Sequence, residues 1–371
     1  MREFAMPCRE MRYLGVGRNR LRLAPRLRCP QRVESGHCLS TRRSVDAGMT
    51  HAIRIHEVGG PDVLRWDGVE VGEPGTGQLK IRQQAVGVNF IDVYHRTGLY
   101  PQPLPLTPGV EGAGTVEAVG DGVDGLVVGD RVAYAGPIGG YAEERLLDAD
   151  RAVKLPDAIG FDQSAAMMLR GMTVEMLLRR VHRVEPGETI LVHAAAGGVG
   201  LILCQWAKEL GATVIGTVST DEKAELARAN GCDHPIVYTR EDFVAEVDRI
   251  TQGRKLPVVY DSVGKDTFLK SLDCLAPRGM MVSYGNASGT PDPLAPGLLA
   301  QKGSLFLTRP TLYHYIGTRT ELERSASELF EMVSSGKMRI DIGQTFALKD
   351  AAEAHRALES RRTTGSTILT V

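Results

Sequence analysis

The sequence predicts an α/β protein in which a doubly wound parallel sheet is joined to a second, irregular β-rich domain. Three observations carry this. Between about residues 171 and 312, six short apolar runs alternate with helical stretches, the pattern of a parallel sheet with crossover helices. One strand-to-helix turn in that region is built from small residues, Ala194-Ala195-Ala196-Gly197-Gly198-Val199-Gly200. From 49 to about 170 the chain instead shows short strands separated by many glycines.

A chain of 371 residues suits two folded domains. Its net charge of −1 gives it no overall attraction for nucleic acid or an anionic membrane. No apolar run reaches the roughly 18 residues of a membrane-spanning helix. The six cysteines form no C-x-x-C pair, which argues against a disulfide framework and a cysteine-rich zinc site, and isolated thiols suit a reducing, cytoplasmic setting.

Residues 1–48 are crowded with arginine, and the expectation is a disordered leader or an upstream extension before Met49. A transit peptide and a nucleic-acid-binding arm are the other readings of such a composition. The folded part then opens with the strand pattern Ala52-Ile53-Arg54-Ile55. Residues 79–86, 114–120 and 130–134 follow as short strands, with Gly59-Gly60-Pro61 and Gly120-Asp121-Gly122 as turns. The parallel sheet is expected from strands at 189–193, 213–218, 235–238, 257–261, 279–284 and 304–308. Helices at 199–210 and 221–230 end before Gly211 and Gly231, which suit a helix C-terminus. Amphipathic helices follow at 319–335 and 349–360. The tail, residues 366–371, reads as a strand, and the β-rich domain is its natural host.

The small-residue turn has the makings of a phosphate cradle. Small side chains let backbone N–H groups approach a pyrophosphate, and the following helix points its positive end at it. The spacing is Ala194-x-x-Gly197-x-x-Gly200 rather than G-x-G-x-x-G. In the common dinucleotide fingerprint an acidic residue follows the second strand and binds the ribose hydroxyls. Here that place is taken by Ser219, with Lys223 one turn on. A hydroxyl and an ammonium suit a 2′-phosphate, so the expected cofactor is NADPH rather than NADH. An N-cap followed by a solvated lysine is the plainer role for the same pair. Asp221 and Glu222 sit awkwardly close to such a phosphate.

With these residues in view the chain resembles the quinone oxidoreductase, zeta-crystallin-like branch of the zinc-independent medium-chain dehydrogenase/reductases. The likeness rests on 193–200 with Gly171-Met172-Thr173, on Gly87-Val88-Asn89-Phe90-Ile91-Asp92 with Gly98-Leu99-Tyr100-Pro101, and on Tyr260-Asp261-Ser262-Val263-Gly264. Gly285-Asn286-Ala287-Ser288-Gly289, Thr308-Arg309-Pro310 and Glu359-Ser360-Arg361 extend it to the C-terminus. It covers residues 49–371. It implies a GroES-like catalytic domain (49–170 plus 313–371), a Rossmann NADPH-binding domain (171–312) and a homodimer. It also implies site residues. Asn89, Phe90, Ile91, Asp92 and Tyr94 would line the nicotinamide side, with Thr173 and Val263 also on the cofactor. Gly197, Gly198, Val199 and Gly200 would hold the pyrophosphate, and Ser219, Lys223 and Tyr238 the 2′-phosphate. Tyr284, Gly285, Asn286 and Arg309 would wrap the nicotinamide end, and Arg361 would close the site.

No metal is expected. The chain has no cysteine between Cys38 and Cys204, and Gly109-Val110-Glu111 stands where the zinc enzymes of the superfamily carry Gly-His-Glu. His95, His182 and His193 are isolated, and Glu111 is left for a structural role. Without a Lewis acid the substrate should already be electrophilic, a quinone or an enone, accepting hydride with help from a polar donor. The candidates for that donor are Asn89, Tyr94 and Tyr100. In related enoyl reductases the tyrosine of Gly-x-Tyr-Pro is the proton donor, and Tyr100 matches it. The resemblance leaves two other readings: an NADPH-dependent enone or enoyl reductase, and a crystallin-like structural or RNA-binding protein. Nucleic acid is disfavoured by the charge.

Overall fold

A computed structural model describes residues 49–371; the expected leader, 1–48, lies outside the described residues. The six apolar runs form one all-parallel sheet. Its spatial order is His234–Val237, Thr213–Val218, Thr189–Val192, Leu256–Asp261, Leu275–Ser283, Phe306–Thr308. In chain order this is 3-2-1-4-5-6, so the sheet reverses beside Thr189–Val192, the strand that feeds the glycine turn. A doubly wound sheet binds its ligand at that switch point. Leu275–Ser283 starts four residues before the expected strand. Pro277 and Gly279 interrupt the apolar run at its beginning, and a register shift between Leu256 and Val258 and a left-handed Arg278 (φ 65°) absorb the irregularity.

The second sheet has the order Ile342–Ala347, Ser366–Thr370, Gln78–Val88, Glu111–Val119, Arg131–Ala135, Val153–Lys154, and Glu144–Asp148 also pairs with Gln78–Val88. The C-terminal strand therefore returns to the β-rich sheet, antiparallel to Gln78–Val88. Met49–Ile55 and Leu64–Glu70 form a separate antiparallel pair.

The β-rich reading of 49–170 needs two corrections: a short helix, Phe90–Thr97, follows Gln78–Val88, and a longer one, Phe161–Glu175, occupies its end. It is buried on nearly every face, through Ser164 to Met168 and Arg170 to Met172, so it shows no amphipathic stripe to reveal it. This helix joins the two sheets. Ala113 and Ala133 of the β-rich sheet, Met167, Met168 and Met172 of the helix, and Val192 and Val258 of the parallel sheet belong to one continuous core.

A polar seam ties the C-terminal helix, Ala351–Glu359, to both ends of the short helix Phe90–Thr97. The Arg96 guanidinium pairs with Glu359 (2.8 Å) and donates to His355 Nδ1 (2.9 Å). That fixes the neutral tautomer with the proton on Nε2, which lies 3.2 Å from the Tyr141 hydroxyl. The Tyr141 hydroxyl in turn donates to Asp92 Oδ2 (3.0 Å), which also accepts from the Asn89 N–H (2.8 Å). Burial, followed by the nearby Arg96 charge, lowers the His355 pKa to about 3. Burial also pushes the Asp92 carboxyl up to about 7, against the hydrogen bonds from Asn89 and Tyr141.

Folding thus favours protonated Asp92. The stability this contributes is complete below the ordinary carboxylate pKa of about 4 and is lost as pH rises through about 7. Relative to the parent, Asp92→Asn should therefore be more stable at pH 8 than at pH 5. Urea unfolding at the two pH values checks this, and parallel shifts of both proteins would contradict it.

Candidate active site

A cleft of about 780 Å³ runs from the switch point of the parallel sheet to the Asn89–Tyr100 segment beside the β-rich sheet. Its sheet-side wall is the glycine turn. Ala194 takes the left-handed conformation (φ 55°), at a cost of roughly 1–2 kcal/mol. Gly200 packs the helix Gly198–Glu209 against the strand end; a Cβ there would strike the carbonyl of Ala194 and the backbone of Ala195. The first turn of that helix is closed by the Leu201 N–H donating to Gly197 O (2.9 Å). The N–H groups of Gly198, Val199 and Gly200 have no carbonyl of their own helix to bond, and all three residues line the cleft.

At one end of the cleft lie Ser219, Lys223, Tyr238 and Arg361. The helix Asp221–Ala229 is capped by Thr220, whose hydroxyl accepts from the Lys223 N–H (3.3 Å), so capping is not the role of Ser219. The Lys223 ammonium donates to the Arg361 carbonyl (2.7 Å), which brings the C-terminal segment onto this end. Arg361 Nη2 reaches the Ala287 carbonyl (3.5 Å) on the opposite wall. Partial burial draws the Lys223 pKa below its ordinary value.

At the other end lie Asn89, Phe90, Ile91, Tyr94, Tyr100 and Arg309. The Tyr94 hydroxyl accepts from the Asn286 N–H (3.0 Å), and burial pushes its pKa up to about 12. The Tyr100 ring packs edge-on against Tyr94 at 5.2 Å between centroids. Its hydroxyl accepts from Arg309 Nη2 (3.1 Å), while Nη1 holds the carbonyls of Ser283 (2.9 Å) and Gly285 (3.0 Å). Accepting from a guanidinium leaves the Tyr100 proton free to be donated. Thr173, Val263, Tyr284 and Gly285 complete the lining among the expected residues.

Two expected residues are placed differently. Asp92 is fully buried and absent from the cleft lining; its carboxylate is turned inward to Tyr141 and to the Asn89 N–H, so it shapes the wall from behind. Asn286 meets the site through its backbone N–H to Tyr94 and not through the lining.

Arg170 carries no local sequence signal, and it fixes Asn89 indirectly. Glu111 is fully buried; its Oε1 accepts from Asn89 Nδ2 (2.7 Å) and Arg170 Nη1 (3.0 Å), and its Oε2 from the Leu169 N–H (2.7 Å). Arg170 Nη2 also donates to the Val88 carbonyl. Burial pushes the Glu111 pKa up, and Arg170 and Asn89 oppose it. Gly87 and Gly198 leave room for this group: a Cβ on Gly87 would strike the Glu111 carboxylate, and one on Gly198 would lie 2.7 Å from Arg170 Nε. Tyr313 and His95 also line the cleft and were not foreseen. His193 is a core residue, bonded to Thr217 (2.9 Å) and Ser271 (2.8 Å). Among the described residues no three His, Cys, Asp or Glu side chains stand close enough together to hold a metal ion, and Val110, beside Glu111, is fully buried.

Two family models match the chain: an alcohol dehydrogenase GroES-like domain over residues 75–157 and a zinc-binding dehydrogenase over residues 198–334. A quinone oxidoreductase of Pseudomonas aeruginosa is 54% identical over 323 residues, covering 86% of this chain and 99% of its own. A 2-haloacrylate reductase of a Burkholderia species is 48% identical, with the same coverage. The crystal structure of the Escherichia coli quinone oxidoreductase, solved in complex with NADPH, superposes with a TM-score of 0.85 at 49% identity, over 86% of this chain and 100% of that one. The chain belongs to the quinone oxidoreductase family of the medium-chain dehydrogenase/reductases.

Proposed function

We propose that this protein reduces quinones with NADPH, by hydride transfer and without a metal. The observation that carries the reading is the cleft itself. It joins a helix N-terminus and a Ser219–Lys223–Arg361 end to a wall of tyrosine hydroxyls carried by the helix Phe90–Thr97 and the loop after it. The family's quinone oxidoreductases support it, including the NADPH complex.

The residues present fit the cofactor. The helix N-terminus at 198–200 suits a pyrophosphate, and Gly200 is a position where a larger side chain could not be accommodated. Ser219, Lys223, Tyr238 and Arg361 would hold the 2′-phosphate. Phe90, Ile91, Thr173, Val263, Tyr284, Gly285 and Arg309 would border the nicotinamide half. When bound, NADPH supplies the hydride, and the reduced quinone takes its proton from the protein or solvent, giving hydroquinone and NADP⁺.

The protein's own part is position and a proton. Glu111 and Asp92 hold Asn89 by its side-chain and main-chain N–H groups, so the wall presents one fixed surface to the substrate. Asn286 holds the Tyr94 hydroxyl, and Arg309 holds that of Tyr100 with its proton available; Tyr100 is thus the proton donor in this reading. A metal-free site is supported by the donor set, since Val110 cannot coordinate. The same arrangement of an electrophile-facing tyrosine beside Arg309 would serve an enone, and the 2-haloacrylate reductase relative favours this second reading.

The assembly follows the edge of the parallel sheet. Phe306–Thr308 pairs on one side only among the described residues, and Phe306 and Leu307 on it are 57% and 39% exposed, a surface suited to a second copy in a homodimer. Among the described residues no helix is long and apolar enough to cross a membrane. Cys204, Cys232 and Cys274 are unpaired and buried, as in a reducing compartment, and we assign the protein to the cytoplasm on that ground.

Steady-state kinetics test the reading, with quinones and enones as acceptors and a chelator present. The parent should use NADPH far better than NADH, and Lys223→Glu should cut kcat/KM for NADPH by about a hundredfold while sparing NADH. Equal use of both cofactors by the parent would refute the cofactor assignment. Tyr100→Phe should lower kcat by about a hundredfold with little change in KM for NADPH, the size expected for loss of a general acid. An unchanged kcat would remove Tyr100 from the chemistry.

A further inference from the structure

The phosphate end of the cleft carries an unexpected number of acids. Asp221 and Glu222 open the helix between Ser219 and Lys223, and Glu241 and Asp242 line the cleft. Four carboxylates so close to a 2′-phosphate would repel it. Three of the four are occupied. Glu241 Oε2 accepts from the Val237 N–H (2.7 Å). Asp242 caps the helix Phe243–Thr251 through the N–H groups of Val244 (2.8 Å) and Ala245 (3.4 Å) and stands 3.8 Å from Lys270. Asp221 is gripped bidentately by Arg240, at 2.7 and 2.5 Å. Glu222 is exposed and outside the cleft lining.

Arg240 ends a short clamp. Tyr238 N–H donates to the Val218 carbonyl (3.1 Å), and the Thr239 hydroxyl donates to the Ser219 carbonyl (3.1 Å). The Arg240 fork then closes on Asp221. Each of three successive residues thus holds a place beside or within 218–221, the segment that carries Ser219 into the cleft. Asp242 has helix N–H groups as well as Lys270, and Glu241 has the Val237 N–H, whereas Asp221 is held by the Arg240 guanidinium alone among the described residues. It is the carboxylate whose charge depends on one removable side chain.

We propose that Arg240 is a specificity-determining residue for NADPH over NADH, acting through Asp221: it neutralises the carboxylate between Ser219 and Lys223 and holds it away from the 2′-phosphate. The inference rests on the NADPH reading above. Arg240 is a positioning residue here, since neither it nor Asp221 lines the cleft.

The test is equilibrium binding, by fluorescence or calorimetry, of NADPH, NADH, 2′,5′-ADP and 5′-ADP to the full-length protein. Arg240→Ala should weaken NADPH and 2′,5′-ADP about fivefold, the size an exposed charge pair supports, and leave NADH and 5′-ADP unchanged. Asp221→Asn added to Arg240→Ala should restore NADPH binding, because the charge being masked is gone. Three results overturn the proposal: no change in Arg240→Ala, an equal loss for all four ligands, or a loss that persists in the double variant. The last would mean that Arg240 acts on the phosphate directly. The parent in the same experiment judges the underlying reading separately, because a parent that binds NADH as tightly as NADPH fails the cofactor assignment whatever the variants do.

Discussion

Glu111 and Arg170 meet behind the cleft wall, Glu111 fully buried and Arg170 nearly so, and the cleft is assembled around them. Taking such a pair out of water costs several kcal/mol per ion before their attraction and hydrogen bonds offset it. Here nearly every polar atom is used. Glu111 takes the Asn89 amide, the Leu169 N–H and the Arg170 guanidinium, and Arg170 also reaches the Val88 carbonyl. These partners come from the end of Gln78–Val88, from Glu111–Val119 and from the helix Phe161–Glu175, the elements that bring the two sheets together. A buried pair of this kind adds little to net stability but fixes one arrangement. Its product is the orientation of Asn89.

The remaining walls follow from smaller constraints of the same sort. Arg309 holds Tyr100 against the carbonyls of Ser283 and Gly285, so the proton-bearing hydroxyl is set by the end of the parallel sheet. Asp92 holds the Asn89 main chain from behind, backed by Tyr141 and His355. At the Lys223–Arg361 end, carboxylates are turned to backbone N–H groups or to Arg240, while the ammonium groups of Lys223 and Lys270 and the Arg361 guanidinium line the cleft. The site is thus built by disposing of unwanted charge as much as by supplying wanted charge.

Much of this was legible in the sequence where a local rule governs. The parallel strands are short apolar runs bounded by turns, the glycine turn needs small residues for steric reasons, and the strand-like tail needed a sheet to join. Most of the expected cleft residues line one cavity, because the family motifs sit on strand ends and the turns that follow them. What escaped depends on distant partners. The helix Phe161–Glu175 is buried all round and carries no stripe. Arg170 became part of the site only when Glu111, 59 residues earlier, was placed beside it. Asp92 lies next to cleft residues in sequence, but its place at the third position of the helix turns it inward. Thr220 rather than Ser219 caps the next helix, a one-residue distinction that composition cannot make.

The central claim is that the Glu111–Arg170 pair orients Asn89 and is kept for that purpose rather than for stability. The direct measurement is a comparison of unfolding free energy and kcat in Arg170→Met, Glu111→Leu and the double variant. Each single change strands a buried charge and should destabilise by about 3–5 kcal/mol. The apolar double should recover most of that stability while kcat stays at least tenfold below the parent, because Asn89 has lost its anchor. A double variant that regains full kcat along with its stability would contradict the account.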